Sequence, residues 1–108
     1  MVEHCVKVIF PFHDTNLERI FALEDLLIAA LETQPVGEYD GNEIGAGVAT
    51  LFLYGPDADA LFNAVFPILR TSFLVKDGQI VKRYGPPEDG VREETTQPST
   101  YRVAGDGK

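Results

Sequence analysis

Apolar and polar positions alternate along the first twelve residues, which is the pattern of a β-strand with one buried face. One face of residues 2–12 carries Val2, His4, Val6, Val8, Phe10 and Phe12. The opposite face is mixed, with Glu3, Cys5, Lys7 and Ile9. A strand of this kind packs one side on helices and leaves the other side partly in water.

Helical spacing replaces this alternation over residues 17–31, and the helix is expected to end near Thr33, before Pro35. Thr15 and Glu18 have the spacing of a capping box at the helix start. The apolar positions of this helix cover an arc of about 220°, whereas a helix lying on a sheet needs roughly 100° or somewhat more. We therefore expect a second helix and a partner subunit to share the cover.

The same strand-then-helix pattern returns in the second half of the chain. Residues 49–54 form an apolar run, and residues 57–71 have apolar positions at helical spacing. Pro67 lies inside the second segment, where a missing amide should kink the helix or end it near Phe66.

Glycines and turn signals mark the remaining strands. Residues 37–47 read as a short, irregular strand with a β-bulge at Gly41 and a hairpin turn at 45–47. A tight turn is expected at 77–78, between the apolar residues 73–75 and the last core strand at 79–84.

The order of these elements predicts one ferredoxin-like α+β domain, βαββαβ, with an antiparallel sheet and both helices on one face. Residues 91–96 are expected to add an edge strand and complete a domain over residues 1–96. Residues 97–108 are polar and are expected to form a flexible tail.

Charge narrows the classes of partner. The net charge is −8, from 17 acidic and 9 basic side chains, and no basic stripe is visible. Nucleic acid and acidic membrane surfaces are therefore unfavourable partners.

Cys5 is the only cysteine and lies in a strand, which indicates an inert thiol. The chain shows neither a secretory signal nor a membrane-spanning apolar run, so we expect a cytoplasmic location.

One rim of the predicted fold should gather polar residues of the kind that bind a hard cation: His13, Asp14, Asp40, Asn42, Glu43 and Asp77. The segment starting at Asp40 nevertheless fails as a calcium loop. Ile44 occupies the third ligand position, and Leu51 stands where a glutamate is required. The two histidines lie at opposite ends of one strand, which makes a zinc site improbable. We therefore predict solvated turn residues, with neither metal nor cofactor.

The other rim should hold two Tyr-Gly-Pro segments, which begin at Tyr54 and Tyr84. Asp57 follows the first of them at the expected start of the second helix. Its negative charge at the positive end of the helix dipole would repel an anion. Glu24 falls inside the apolar arc of the first helix, either at its edge or as a buried acid with a raised pKa. Tyr39, in the glycine-rich strand, completes the candidate ligand- or partner-binding residues.

Three segments carry a resemblance to a family of small bacterial proteins of unknown function. They are GEYDGNEIG at residues 37–45, LYGPDADAL at residues 53–61 and RYGPP at residues 83–87. The resemblance covers roughly residues 5–95. It implies a bacterial, cytoplasmic, single-domain protein and supplies no activity, cofactor or catalytic residue.

Two functional hypotheses follow from these observations. The first is a non-catalytic binding or regulatory module that recognises a basic surface on another protein, for example in an immunity or antitoxin-like role. A homodimer is also expected from the wide apolar arc of the first helix. The alternative is a small enzyme or ligand binder that uses the open sheet face or the acidic rim.

Overall fold

The computed structural model describes residues 3–98 of the chain, so most of the predicted tail lies outside the described part. The chain forms, in order, β1 (His4–Pro11), α1 (Glu18–Thr33), β2 (Glu38–Gly45), β3 (Val48–Gly55), α2 (Ala58–Leu69), a 3₁₀ turn (Phe73–Val75), β4 (Gln79–Arg83) and β5 (Glu93–Thr96). The strands form one antiparallel sheet in the order β2-β3-β1-β4-β5. The ferredoxin-like prediction with an extra edge strand is confirmed.

The core lies between one face of the sheet and the two helices. In the centre of the sheet Val6 pairs with Leu53 and Val8 pairs with Leu51. These four side chains are completely buried and belong to one continuous cluster with residues of both helices. The face of β1 that was predicted to be buried is therefore the face that packs in the core.

The start of α1 differs from the prediction. The helix begins at Glu18 without a side-chain cap, so Thr15 does not form a capping box. Two turns in succession replace it: Asp14 Oδ1 accepts from the Asn16 amide at 3.0 Å, and Asn16 Oδ1 accepts from the Glu18 amide at 2.9 Å. Because these short side chains bond amides two residues ahead, the chain stays in turns past Thr15.

Pro67 does not end α2 at Phe66, because the helix continues over Ile68 and Leu69, so the predicted early end is wrong. The proline is exposed and lies in the last turn of the helix. The hydrogen bond that its missing amide would make is to the carbonyl of Asn63, which is also exposed. Water can satisfy that carbonyl, so the last turn persists.

Residues 73–75, the apolar run before the turn at 77–78, form a 3₁₀ turn. Val75 is buried, and its carbonyl accepts from the Gly78 amide at 2.9 Å, whereas Phe73 is 73% exposed. A run of three apolar residues has too few positions to distinguish a strand from a helical turn.

The glycine-rich hairpin agrees with the prediction. The register of β2 against β3 shifts between Tyr39 and Gly41, which leaves Asp40 as the extra residue of a β-bulge. Gly41 has φ +136°, a backbone conformation that favours glycine. At the hairpin turn Ala46 and Gly47 have positive φ values of 55° and 78°.

Candidate functional site

The predicted acidic rim is assembled only in part, with Asp77 beside Pro11 and Gly47 at one end of the sheet. The His13 ring lies against the hairpin turn, where a Cβ on Gly47 would come 2.6 Å from its Cε1 atom. Asp40 lies toward the other end of β2, beside Tyr54. In residues 3–98, no group of three or more histidine, cysteine, aspartate or glutamate side chains has the geometry of a metal site.

Three of the candidate residues do come together between α1 and the edge strand β2. Tyr39 donates its hydroxyl hydrogen bond to Glu24 Oε2, and Asn42 Nδ2 donates to the same oxygen at 2.6 Å. The bulge makes this arrangement possible because it turns Tyr39 and Asn42, three residues apart, to the same helix-covered face of the sheet. We call Glu24, Tyr39 and Asn42 the α1–β2 clamp.

Electrostatics in the clamp favours the protonated tyrosine. Burial, followed by the hydrogen bond to the Glu24 carboxylate, raises the pKa of Tyr39 far above its ordinary value. A neutral phenol that donates to a carboxylate joins a helix to a strand and has little acid–base reactivity near neutral pH. The clamp is therefore a structural contact.

A second polar cluster lies at the opposite edge of the same sheet face. Lys82 Nζ lies 3.0 Å from Asp59 Oδ1 and 3.5 Å from Glu94 Oε1. The Tyr84 hydroxyl lies 2.6 Å from Asp59 Oδ1 and 3.2 Å from Glu94 Oε1. Arg92 pairs with Glu94, and its guanidinium carbon lies 4.4 Å from the centre of the Tyr84 ring. Of this group, only Tyr84 was predicted from the sequence as a candidate binding residue.

The pKa shifts in this cluster show that its charges stabilise one another. Hydrogen bonds from Tyr84 and Lys82 lower the pKa of Asp59. Burial alone would lower the pKa of Lys82, but its hydrogen bonds to Asp59 and Tyr84 raise it overall. The pKa of Glu94 is lowered by Arg92 first and Tyr84 second. Each charge has its partner, so the cluster ties α2 to β4 and β5.

The first turn of α2 is satisfied from within the chain. Asp57 Oδ1 accepts from the amides of Asp59 and Ala60 at 2.9 and 3.2 Å. His4 Nδ1 accepts from the Ala58 amide at 3.0 Å. Asp57 is therefore a capping residue. The pairing of β1 with β3 and β4 brings both Tyr-Gly-Pro segments to this end of the sheet, as predicted.

The open sheet face carries Cys5, Tyr54 and Arg83, and Cys5 is fully buried there. Burial raises the pKa of the Cys5 thiol, with Arg83 opposing the shift, so the thiol is inert at neutral pH. Beside this group, at the β2 edge, lies a cleft of about 500 Å³ whose polar lining includes Glu3, Glu38, Asp40 and Tyr54.

The distribution of acidic side chains is a feature that the sequence analysis did not use. Residues 20–69 contain eight aspartates and glutamates and not one lysine, arginine or histidine. The other nine acidic side chains of the protein are balanced by its nine basic ones, so this segment accounts for the whole net charge of −8. Counting charges along the chain would have found it.

Three acids of this segment have structural partners, namely Glu24 in the clamp, Asp57 in the cap and Asp59 beside Lys82. The other five are exposed: Asp25, Glu32, Glu38, Asp40 and Glu43. These five make no hydrogen bond or ion pair with other side chains of the described chain. We call them the free acids; two lie on α1 and three lie on β2.

The chain matches no protein-family model, no curated protein and no solved structure. The resemblance drawn from its three motif segments therefore stays a prediction. Within residues 3–98, no helix has the length and apolar character needed to cross a membrane.

Proposed function

We propose that this protein is a non-catalytic protein-binding module that recognises a basic surface of another protein. The observation that carries the proposal is the set of five free acids, all exposed and drawn from a segment without any basic residue. Exposed side chains of one sign, here two on α1 and three on the edge strand β2, attract a partner of the opposite sign and speed its association. Neutralising a basic protein, as an immunity protein or antitoxin does, would be one instance of this function.

One feature distinguishes these acids from ordinary surface charge. Surfaces that serve solubility alone usually mix both signs, whereas no lysine or arginine lies between Arg19 and Arg70. Asp59 belongs to the same segment but is paired with Lys82 at 3.0 Å, so it is not one of the five free acids.

The cleft on the open sheet face supports a second candidate, a binder of a small organic cation. Glu38, Asp40 and Glu3 place three carboxylates around about 500 Å³, and the Tyr54 ring lines the same space. Carboxylates with an aromatic ring suit an ammonium or guanidinium group. Titrating the protein with spermidine, with Asp40→Asn as the variant and Asp77→Asn as the matched control, would test this candidate by calorimetry.

The main proposal is tested by affinity capture from an extract of the source organism, washed at rising salt. Reversing three free acids, as Asp25→Lys, Glu32→Lys and Glu43→Lys together, should release a captured basic protein. The matched control reverses three exposed acids outside the segment, at Asp77, Glu88 and Glu93, and should retain it. Capture that is equal in both variants, or no basic protein held at stoichiometric amount, would contradict the proposal.

A further inference from the structure

We infer, on the basis of the proposed function, that the outer edge of β2 takes up an extended basic segment of the partner protein as an antiparallel sixth strand of the sheet. β2 is the first strand in the sheet order, and within residues 3–98 no strand pairs with its outer side. It is eight residues long. An edge strand presents unpaired amides and carbonyls to which an extended peptide can add.

The register of β2 defines which backbone groups are directed outward. Gly45 and Val48 flank the two-residue hairpin turn, so they form a hydrogen-bonded pair. Bonded and non-bonded pairs alternate along an antiparallel ladder. The amides and carbonyls of Asn42 and Ile44 therefore point away from β3, toward the position of an incoming strand.

The helix layer leaves an apolar ledge above this edge, formed by Phe21 and Ile28 of α1 and Ile44 of β2. The clamp shows that Glu24 is on the side of α1 that faces β2. Phe21 and Ile28 lie within about 60° of Glu24 around the helix, on the side away from the buried Leu27. They are 50% and 41% exposed, and Ile44, on the helix-covered face of β2, is 37% exposed. The apolar arc of α1 is therefore wider than the fold itself covers, and a sixth strand would cover it with its own apolar residues.

The acids of β2 border the same edge on the other face of the sheet. Glu38 and Glu43 lie on the open sheet face, and Asp40 is the extra residue of the bulge. Two shallow hollows of about 240 and 280 Å³ lie along this strand, and Glu43 lines both. Basic side chains of an incoming strand that enter these hollows would lie beside a carboxylate.

The acids of α1 extend the negative charge over the apolar ledge. Asp25 and Glu32 lie about 80–100° from Glu24 around the helix, on the flank that carries the ledge. All five free acids are therefore near one edge of the sheet. The segment that matches this edge alternates apolar residues, which face α1, with basic residues, which face the open side of the sheet.

The basic side chains of neighbouring elements are directed elsewhere. β3, the strand beside β2, carries no charged residue, and Lys7 lies one strand further in, on β1. Arg19, the single basic residue of α1, lines a groove on the opposite flank of that helix. The His13 ring lies at the hairpin turn, beyond the end of β2. The charges on β2 and on the adjoining flank of α1 are therefore all negative.

A second copy of this chain is not complementary to this edge. Antiparallel pairing of two β2 strands would set the acids of one copy against those of the other. The other edge strand, β5, presents Glu93 and Glu94. Because like charges across a strand pair are destabilising, a basic segment of a different protein fits better than a second copy.

The probe is a synthetic peptide of about ten residues in which lysine and valine alternate, and its binding is measured by fluorescence anisotropy at low salt. Two N-methylated versions separate strand pairing from simple charge attraction. In an antiparallel pair the valines lie on the face of Asn42 and Ile44, and their amides bond to β2. Methylating the valine amides should therefore weaken binding by about tenfold or more, whereas methylating the lysine amides should leave it within about twofold.

Charge variants of the protein test the position of the lysines. The β2 variant, Glu38→Lys with Glu43→Lys, should weaken binding by about tenfold or more. Its matched control, Glu88→Lys with Glu93→Lys, reverses two exposed acids away from this edge and should leave binding within about twofold.

Apolar variants test the position of the valines. The ledge variant, Phe21→Ser with Ile28→Ser, should weaken binding by about tenfold. The groove variant, Leu26→Ser with Phe73→Ser, removes two exposed apolar side chains around the groove on the other flank of α1 and should leave binding within about twofold. Circular dichroism checks that every variant retains the fold.

Several results would overturn the edge of β2 as the docking site. Equal binding of the two N-methylated peptides would show that charge alone attracts the probe. Loss of binding in the groove variant but not in the ledge variant would move the site across α1. A dimer in sedimentation that the ledge variant abolishes and the peptide dissociates would show that a second copy fills the edge.

Affinity capture separates the failure of this docking site from the failure of the proposed function. If the β2 and ledge variants capture a basic protein as well as the wild-type chain does, the docking site is wrong and the proposed function stands. Failure of both peptide binding and protein capture would contradict the two proposals together.

Discussion

Replacing Tyr39 by phenylalanine tests whether the α1–β2 clamp stabilises the fold. The variant keeps the ring, which packs against the core, and removes only the hydroxyl that donates to Glu24. Glu24 keeps its second donor, Asn42. The substitution therefore removes one hydrogen bond to a carboxylate and creates almost no cavity.

The expected loss of unfolding free energy is about 1–2 kcal/mol. Hydrogen bonds to charged groups contribute roughly 1.5–3 kcal/mol, and the lower part of that range applies because Tyr39 and Glu24 are only partly buried. For a domain of about this size, 1–2 kcal/mol corresponds to a fall in melting temperature of roughly 5–10 °C.

Urea unfolding gives the free energy, and a double-mutant cycle assigns it to the contact. Tyr39→Phe is measured in the wild-type chain and again in a Glu24→Ala background, where the acceptor is absent. The loss should be nearly abolished in that background, leaving a coupling energy close to the single-variant loss. A loss below about 0.5 kcal/mol, or an equal loss in both backgrounds, would refute the role assigned to the clamp.

Three further outcomes are expected from the structure. Stability should fall as the pH rises above roughly 8.5–10, because the raised pKa values of Cys5 and Tyr39 mean that the folded state holds these protons more tightly than the unfolded state. Melting temperatures measured from pH 7 to 11 check this, and Cys5→Val should make the melting temperature depend less on pH. Asp57→Ala should cost about 1 kcal/mol by uncapping α2, and an unchanged urea midpoint would contradict the capping role. Millimolar Ca²⁺, Mg²⁺ or Mn²⁺ should leave the melting temperature unchanged, whereas a saturable rise with one of them would reveal a metal site.

The order of strands and helices could be predicted because the hydrophobic periodicity and the positions of the turn residues agree along the chain. The alternation of β1 and the helical spacing of α1 each extend over enough residues to exclude the other structure. Gly41 marked the bulge correctly, because few residues other than glycine tolerate its backbone conformation. The start of α1 was wrong because Asp14 and Asn16 bond nearby amides in competition with a cap at Thr15.

The candidate sites were predicted less well because they depend on register. A bulge exchanges the faces on which all later residues of the strand lie, so placing Glu24 beside Tyr39 and Asn42 requires the bulged register of β2. Lys82 and Asp59 meet only after α2 has packed on the sheet, and their spacing along the chain carries no signal. The acid-only segment, in contrast, was readable from the sequence alone.

The two edges of the sheet have a consequence for how the protein behaves at high concentration. An exposed edge strand can pair with the edge of another molecule and start aggregation, and charged side chains or bulges normally prevent this. On β2 that protection consists of Glu38, Asp40 and Glu43 with the bulge, and on β5 it consists of a strand only four residues long. Because carboxylates lose their charge near pH 4, the barrier on β2 is weakest in mildly acidic solution. The acids to which we assign a basic partner would thus also keep copies of the folded protein apart.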